Sequence, residues 1–471
     1  MNLLIKNGLI INANSRNNAD IFVENGIITE IGNNIPDVEE RADEIVDATG
    51  LLVLPGAIDV HTHFELPFDN AISADDFFTG TRAAVCGGVT TIMDFVTPKK
   101  GESLMDALVA RKKLADPKVC IDYGLHVSLP GSGYDGITNR IEEMQDIAAA
   151  GITSFKVFMT YAFRATDDEF KAMLSKAKEL DALIMVHAED HNELEALRAK
   201  FIAESKTDVW HHYLSRPESV ETKGVKTAIK LTKETEASLY IVHLASVGGL
   251  KAVEKAKNEG VHIFAETCPQ YLHFTNDVYK QSDGQNYVCS PPIKGKESGK
   301  ALWEGIKNGT ISTVATDHCP FTLEEKLWGK DDFTKIPNGV MGVENLYPYM
   351  LSEANKGNIT FEHVVELCCA NPAKIFKLAP KKGEIAVGAD ADIVLYDPYK
   401  DFQISVKNMH SDTDYTIWEN VKLNGYPVSV YIRGKIMYKN GEFLGTAGTG
   451  KYLSNHCKSP KAHFGPLGES C

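Results

Sequence analysis

Residues 153–190, TSFKVFMTYAFRATDDEFKAMLSKAKELDALIMVHAED, hold two short apolar runs separated by a stretch of helical spacing. Within DEFKAMLSKAKELD, Phe170, Met173, Leu174 and Ala177 recur at intervals of three and four, which places them on one face of a helix. The flanking runs, TSFKVFMTY and ALIMVHAED, are short and rich in apolar and β-branched residues, as strands are. A strand, a helix and a second strand in this order form a parallel crossover unit. The same alternation extends outward on both sides. LLVLPGAIDVHTH, TTIMDFV and CIDYGLHVSL precede the unit, and SLYIVHLAS, VHIFAETCPQY and ISTVATDHCP follow it. Eight strands alternating with helices between residues 56 and about 375 predict a (β/α)8 barrel.

The chain ends read differently. LLIKNGLIIN, ADIFVENGIITEIG and EIVDATGLLVLPG are strand pairs broken at Asn-Gly and similar turns, and GEIAVGADADIVLYDP and VSVYIRGKIMYKNGEF repeat the style near the other end. The predicted organisation is a β-sandwich from residues 1–55 plus 383–450, the (β/α)8 barrel over 56–382, and a C-terminal arm or tail over 451–471. That last segment is polar and bears proline and glycine, as arms and tails do.

A chain of 471 residues that is 43% hydrophobic is long enough for one large and one smaller core. Its net charge of −15 would repel nucleic acid and anionic membrane, so a small molecule is the expected partner. The amino terminus lacks a basic region followed by a long apolar core, and no segment is apolar enough to span a membrane. A soluble, cytoplasmic protein is expected. The nine cysteines show no paired framework, which favours reduced thiols; Cys268, Cys289 and Cys319 read as small buried apolar residues.

In a barrel of this kind the carboxyl ends of the strands form one mouth, where active sites sit. His61 and His63, one residue apart in GAIDVHTHFELPF, project from the same strand face. Lys156 in SFKVFMTY, His187 in VHAED, His243 in IVHLAS and Asp317 in ATDHCPF come to the same mouth. Four histidines, an aspartate and a lysine at one place are hard to explain by packing. Imidazole and carboxylate donors without cysteine indicate zinc or a similar borderline ion. Five such donors exceed the three usual for one catalytic zinc, which suggests two ions and calls for a bridging anion. An ammonium facing two dications would be repelled, so Lys156 needs a chemical reason to be there.

Together GAIDVHTHFELPF, SFKVFMTY, VHAED, IVHLAS, AETCPQYL, CSPPIK and ATDHCPF resemble the cyclic amidohydrolases, most closely the dihydropyrimidinase/hydantoinase family, with the likeness running from the first barrel strand to Gly450. The resemblance implies that Lys156 is carboxylated and that its carbamate and a hydroxide bridge two Zn2+ ions. His61, His63 and Asp317 would then hold one ion, and His187 and His243 the other. It further implies that the hydroxide opens the ring amide to an N-carbamoyl amino acid, with Asp317 moving the proton. Tyr161 would stabilise the oxyanion, and Ser290 and Asn338 would hold the imide edge of the substrate. A homotetramer steadied by the C-terminal region is also implied by the resemblance alone.

Dihydroorotases usually carry an arginine just after the H-x-H pair, where this chain has Phe64. A neutral dihydropyrimidine or hydantoin is therefore expected, with Phe64, Leu66 and Phe158 as either an apolar wall for its substituent or core residues. Two alternatives differ in kind. An allantoinase would share the metal chemistry, whereas a non-catalytic dihydropyrimidinase-like scaffold would have lost the ligands that are all present here.

Overall fold

The computed structural model describes residues 2–33, 35–68 and 70–454. Eight parallel strands run through its centre: β1 (Ala57–Thr62), β2 (Val89–Val96), β3 (Asp122–Ser128), β4 (Ser154–Phe158), β5 (Leu183–His187), β6 (Ser238–Ile241), β7 (Ile263–Thr267) and β8 (Thr313–Val314). They pair in sequence order, Phe158 lying opposite His187 and Glu266 opposite Thr313. Closure between β8 and β1 is made by a bridge from Thr62 to His318 and by the buried Asp59 carboxylate, which accepts bonds from Thr316 N at 3.1 Å and Thr316 Oγ1 at 2.5 Å. The expected barrel is present.

Strand alternation sets which side chains enter it. Phe155 and Val157 of β4 join the core beneath the surrounding helices, so Lys156 between them points inward. On β5, Ile184 and Val186 face outward while Leu183 and Met185 fill the barrel, which puts His187 on the inner side. Tyr240, Phe95 and Val60 fill the same interior, and Phe376 and Leu378 join that cluster from the chain beyond the barrel.

Helix α1 (Phe77–Cys86) starts at a reciprocal cap between Asp76 and Thr79. Helix α2 (Asp167–Glu179) starts at another between Thr166 and Glu169, and it buries the predicted face of Phe170, Met173, Leu174 and Ala177.

Both chain ends enter one nine-stranded sheet. Leu52–Pro55 from the amino end pairs antiparallel with Ile393–Gln403 from the carboxyl end, Val53 lying opposite Leu395. Leu54, Val394, Tyr396 and Ile432 join the main core, while Leu3, Ile21, Val53, Ile393 and Leu395 form a second core of the sheet itself. One Asn-Gly pair differs from its expected role. Asn7-Gly8 is a bulge within the strand Leu3–Asn12, since the chain pairs with Ser15–Glu24 on both sides of it. A Cβ at Gly8 would lie 2.3 Å from the Val53 side chain, so close approach requires the glycine. Asn25-Gly26 and Asn440-Gly441 do turn the chain, with φ of 53° and 84°, and 50° and 95°.

Cys268, Cys289 and Cys319 are buried free thiols, as read from the sequence. The expected arm at 451–471 lies outside the described residues from 455 onward; before that, Tyr452 bridges to Tyr123 and Leu453 N donates to Tyr123 O.

Candidate metal centre

His61 lies within β1 and His63 just beyond it, and their Nε2 atoms stand 3.2 and 3.1 Å from a single oxygen of Asp317. The donor atoms of these three residues lie within 4.8 Å of one another, the spacing a single ion can span. Across the same mouth His187 Nδ1 and His243 Nε2 are 3.0 Å apart. The His61 and His243 rings stack at 5.5 Å, which joins the two groups, and the Lys156 Nζ lies 5.2 Å from the centre of the Phe95 ring and 5.3 Å from that of Phe158. All six predicted ligands line one cavity of about 1260 Å3.

Two of them sit differently in the chain from the sequence reading. β6 ends at Ile241 and β8 at Val314, so His243 and Asp317 stand on the loops that follow. Each turns its backbone into the left-handed region, with φ of 37° and 54°, and Tyr161 beyond β4 does so at 72°. Such conformations are uncommon for residues other than glycine and cluster at functional sites.

The surroundings determine which ring nitrogens remain free. Glu266 Oε1 accepts the Nδ1–H of His61 at 2.7 Å, and Glu189 Oε2 accepts the Nε2–H of His187 at 2.7 Å. The opposite nitrogens, His61 Nε2 and His187 Nδ1, are then lone-pair donors aimed into the cavity. His61 Nε2 consequently meets Asp317 lone pair to lone pair, an arrangement that a cation relieves. The donor set therefore fits divalent ions of the zinc type.

Electrostatics support the same assignment. Burial works to raise the Asp317 carboxyl, but positive charge on His61 and His63, the charge a bound cation would replace, outweighs it and holds it at about 2. Burial likewise opposes ionisation of Glu189, which Arg216 and His187 bring down to about 2. Burial pushes Lys156 down to about 8, against the pull of Asp317 and Glu266, so its amine is readily available unprotonated. Burial raises the Tyr161 hydroxyl above its ordinary value, which keeps it a proton donor at neutral pH.

Tyr161, Ser290 and Asn338 also line the cavity, and the Asn338 Oδ1 is buried with no partner. The apolar trio divides. Leu66 and Phe158 line the cavity, whereas Phe64 is fully buried against Phe77 and His318, at 5.8 and 5.5 Å between ring centres. Phe64 is a core residue because α1 closes over it; a Cβ on Gly80 would come within 2.2 Å of its ring.

Sequence reasoning missed Glu189, Glu266 and Arg216. Glu266 accepts from His61, from His243 N at 2.9 Å and from the Tyr240 hydroxyl at 2.9 Å; Arg216 pairs with Glu189 and lies 5.6 Å from the Tyr161 ring centre. A carboxylate inside the apolar run IFAET was the available signal for Glu266. Nothing local marks Arg216.

Residues 52–437 match the model of the amidohydrolase family. The chain belongs to the amidohydrolase family. Among curated members, it is 40% identical to a D-hydantoinase of Ralstonia pickettii over 96% of this chain and 98% of that one. It is also 40% identical to a D-hydantoinase of Geobacillus stearothermophilus, over 99% and 98%. The crystal structure of a dihydropyrimidinase from Brevibacillus agri superposes with a TM-score of 0.93 at 38% identity, covering 96% of this chain and 98% of that one. Within the amidohydrolases, the chain therefore groups with the dihydropyrimidinases and D-hydantoinases, as its motifs implied.

Proposed function

We propose that this amidohydrolase opens hydantoin or 5,6-dihydropyrimidine rings to N-carbamoyl amino acids, using two divalent ions, zinc by preference, held by His61, His63, Asp317, His187, His243 and carboxylated Lys156. The observation that carries the reading is the convergence of two histidine nitrogens on one Asp317 oxygen, beside the His187–His243 pair, in a chain of this family. Bound there, the ions would supply an acidified water and a polarised carbonyl.

The chain's own groups supply the rest. The neutral Lys156 amine adds to the carbon of carbon dioxide, forming an N–C bond and releasing one proton, and the resulting carbamate is an anionic ligand where an ammonium would be repelled. Asp317, held ionised, takes the proton from the attacking water and delivers it to the departing ring nitrogen as the C–N bond breaks. The Tyr161 hydroxyl donates to the oxygen that gains charge, and Ser290 and Asn338 position the imide edge. Leu66 and Phe158 face the substituent.

A cytoplasmic homotetramer is proposed on family likeness; no helix among the described residues is long and apolar enough to cross a membrane. The decisive assay compares dihydrouracil, hydantoin, 5-substituted hydantoins, allantoin and dihydroorotate on one metal-quantified preparation. Expected are about two ions per chain, loss of activity to a chelator, recovery with zinc, cobalt or manganese, and a preference for the first three substrates. Full activity in metal-free protein, or preference for allantoin or dihydroorotate, overturns the corresponding part.

A further inference from the structure

Lys326 belongs to the short helix α3 (Leu323–Leu327), outside every motif that suggested function. Its side chain is fully buried, yet among the described residues no carboxylate bonds its Nζ. The Nζ instead donates to three main-chain carbonyls: Val288 at 2.9 Å, Pro337 at 2.8 Å and Gly339 at 2.6 Å. Burial pushes Lys326 down to about 7, but an ammonium has three N–H donors and a neutral amine two, so the three carbonyl acceptors match and favour the charged form. Charge-assisted bonds of this kind are the stronger ones.

The three carbonyls belong to two loops. Val288 lies two residues before Ser290, and Pro337 and Gly339 flank Asn338. The loops also meet directly, Gly339 N donating to Val288 O at 2.9 Å, so that carbonyl accepts from the amide and the ammonium together. Gly339 in turn presses on the loop that carries Asp317: its φ is 153°, a Cβ there would lie 2.1 Å from Cys319 O, and Cys319 N donates to Val340 O at 3.0 Å. Ser290 and Asn338 face the cavity, while Lys326 holds their loops from behind.

We propose that Lys326 is a positioning residue, its buried ammonium tying the Ser290 loop to the Asn338 loop so that both substrate-holding groups keep their place beside the metal ligands. The inference rests on the proposed substrate roles of Ser290 and Asn338. Because the tie binds no metal and reaches no reacting atom, its loss acts on substrate binding and leaves the chemistry largely intact.

The test replaces Lys326 by Met, which is similar in length and has no donor, in the metal-loaded enzyme. The proposal expects KM for dihydrouracil and hydantoin to rise tenfold or more while kcat stays within about threefold and metal content is unchanged. Backbone hydrogen exchange, followed without substrate, should accelerate in segments 286–292 and 334–340 and stay constant in β4 and β5. A variant with unchanged KM and unchanged exchange in both segments, even if less stable, overturns the proposal; so does one that loses its metals and its kcat together. Should Lys326→Met fail to fold, Lys326→Gln, which keeps two N–H donors, is read by the same measurements with a smaller rise in KM expected. Should neither fold, the wild-type holoenzyme decides: both segments protected as strongly as the barrel strands support the tie, and fast exchange there overturns it. The exchange readings hold whatever the substrate, whereas a wild-type enzyme inactive on both rings overturns the functional reading alone.

Discussion

At the scale of single residues, Tyr161 and Lys156 separate chemistry from packing. The Tyr161 ring stands 5.3 Å from the His187 ring, and the residue's left-handed backbone turns it into the cavity. Tyr161→Phe keeps the ring, so folding and metal content should be normal while kcat falls by roughly 10²–10³, the usual cost of one oxyanion donor. Steady-state rates and metal analysis check this; a rate equal to wild type would sink the role. Lys156→Ala should release the ions and nearly all activity, and short carboxylic acids should restore part of it by standing in for the carbamate. Glu266 was legible only as an odd carboxylate in an apolar strand, but it orients His61, so Glu266→Gln should weaken metal affinity by roughly 10–100-fold with the ligands intact. Competition with a chelator measures that loss.

At the scale of elements, the residues that follow β1 illustrate what a strand-and-helix reading resolves. GAIDVHTH indicated a strand ending in a histidine pair, and the pair is there. Whether Phe64 faced substrate or core was undecidable from sequence, because the answer depends on α1 and on Asp94. The Asp94 carboxylate accepts the Phe64 N–H at 2.9 Å and pairs with Arg111, turning the chain so that the ring enters the core. Phe64→Ala should therefore lower stability by about 3–5 kcal/mol without altering the choice among 5-substituted hydantoins. Phe158→Ala should do the reverse, changing the KM of bulky substrates with little change in Tm. The helix α2 face was legible because a 3.6-residue period needs no partner to be seen; the Asn7-Gly8 bulge was not, since the same dipeptide serves turns and bulges and only the position of Val53 distinguishes them.

At the scale of the whole molecule, Lys382 joins the two sheets. Its Nζ reaches Asp122 of β3 at 2.6 Å, and Asp392 and Asp390, which precede the strand Ile393–Gln403, at 2.6 and 3.0 Å. Lys382→Met would leave the buried Asp392 without its ion-pair partner and Asp122 with Arg433 alone, which should cost about 3–5 kcal/mol and appear as a lower Tm. Acid acts through the site. Asp317 and Glu189 are depressed to about 2 in the fold, below the ordinary carboxylate value near 4. Their contribution is therefore present above that ordinary value and is lost as pH falls toward 2, so the metal-free protein should lose stability across that window. Thermal melts at stepped pH check this.

By itself the sequence determined the period of each element, their order along the chain, and the kinds of donor placed at the strand ends. These follow from local spacing and from the rule that parallel strands joined by helices gather their carboxyl ends on one side. Only the tertiary structure decided which nitrogen of His61 and His187 is free, that Arg216 stands behind Glu189, that Phe64 is core, and that Lys326 joins two loops about fifty residues apart. Each of those outcomes depends on a hydrogen bond or a close approach between distant segments. Such pairings leave no period in the chain, because their partners are adjacent only after the barrel has closed.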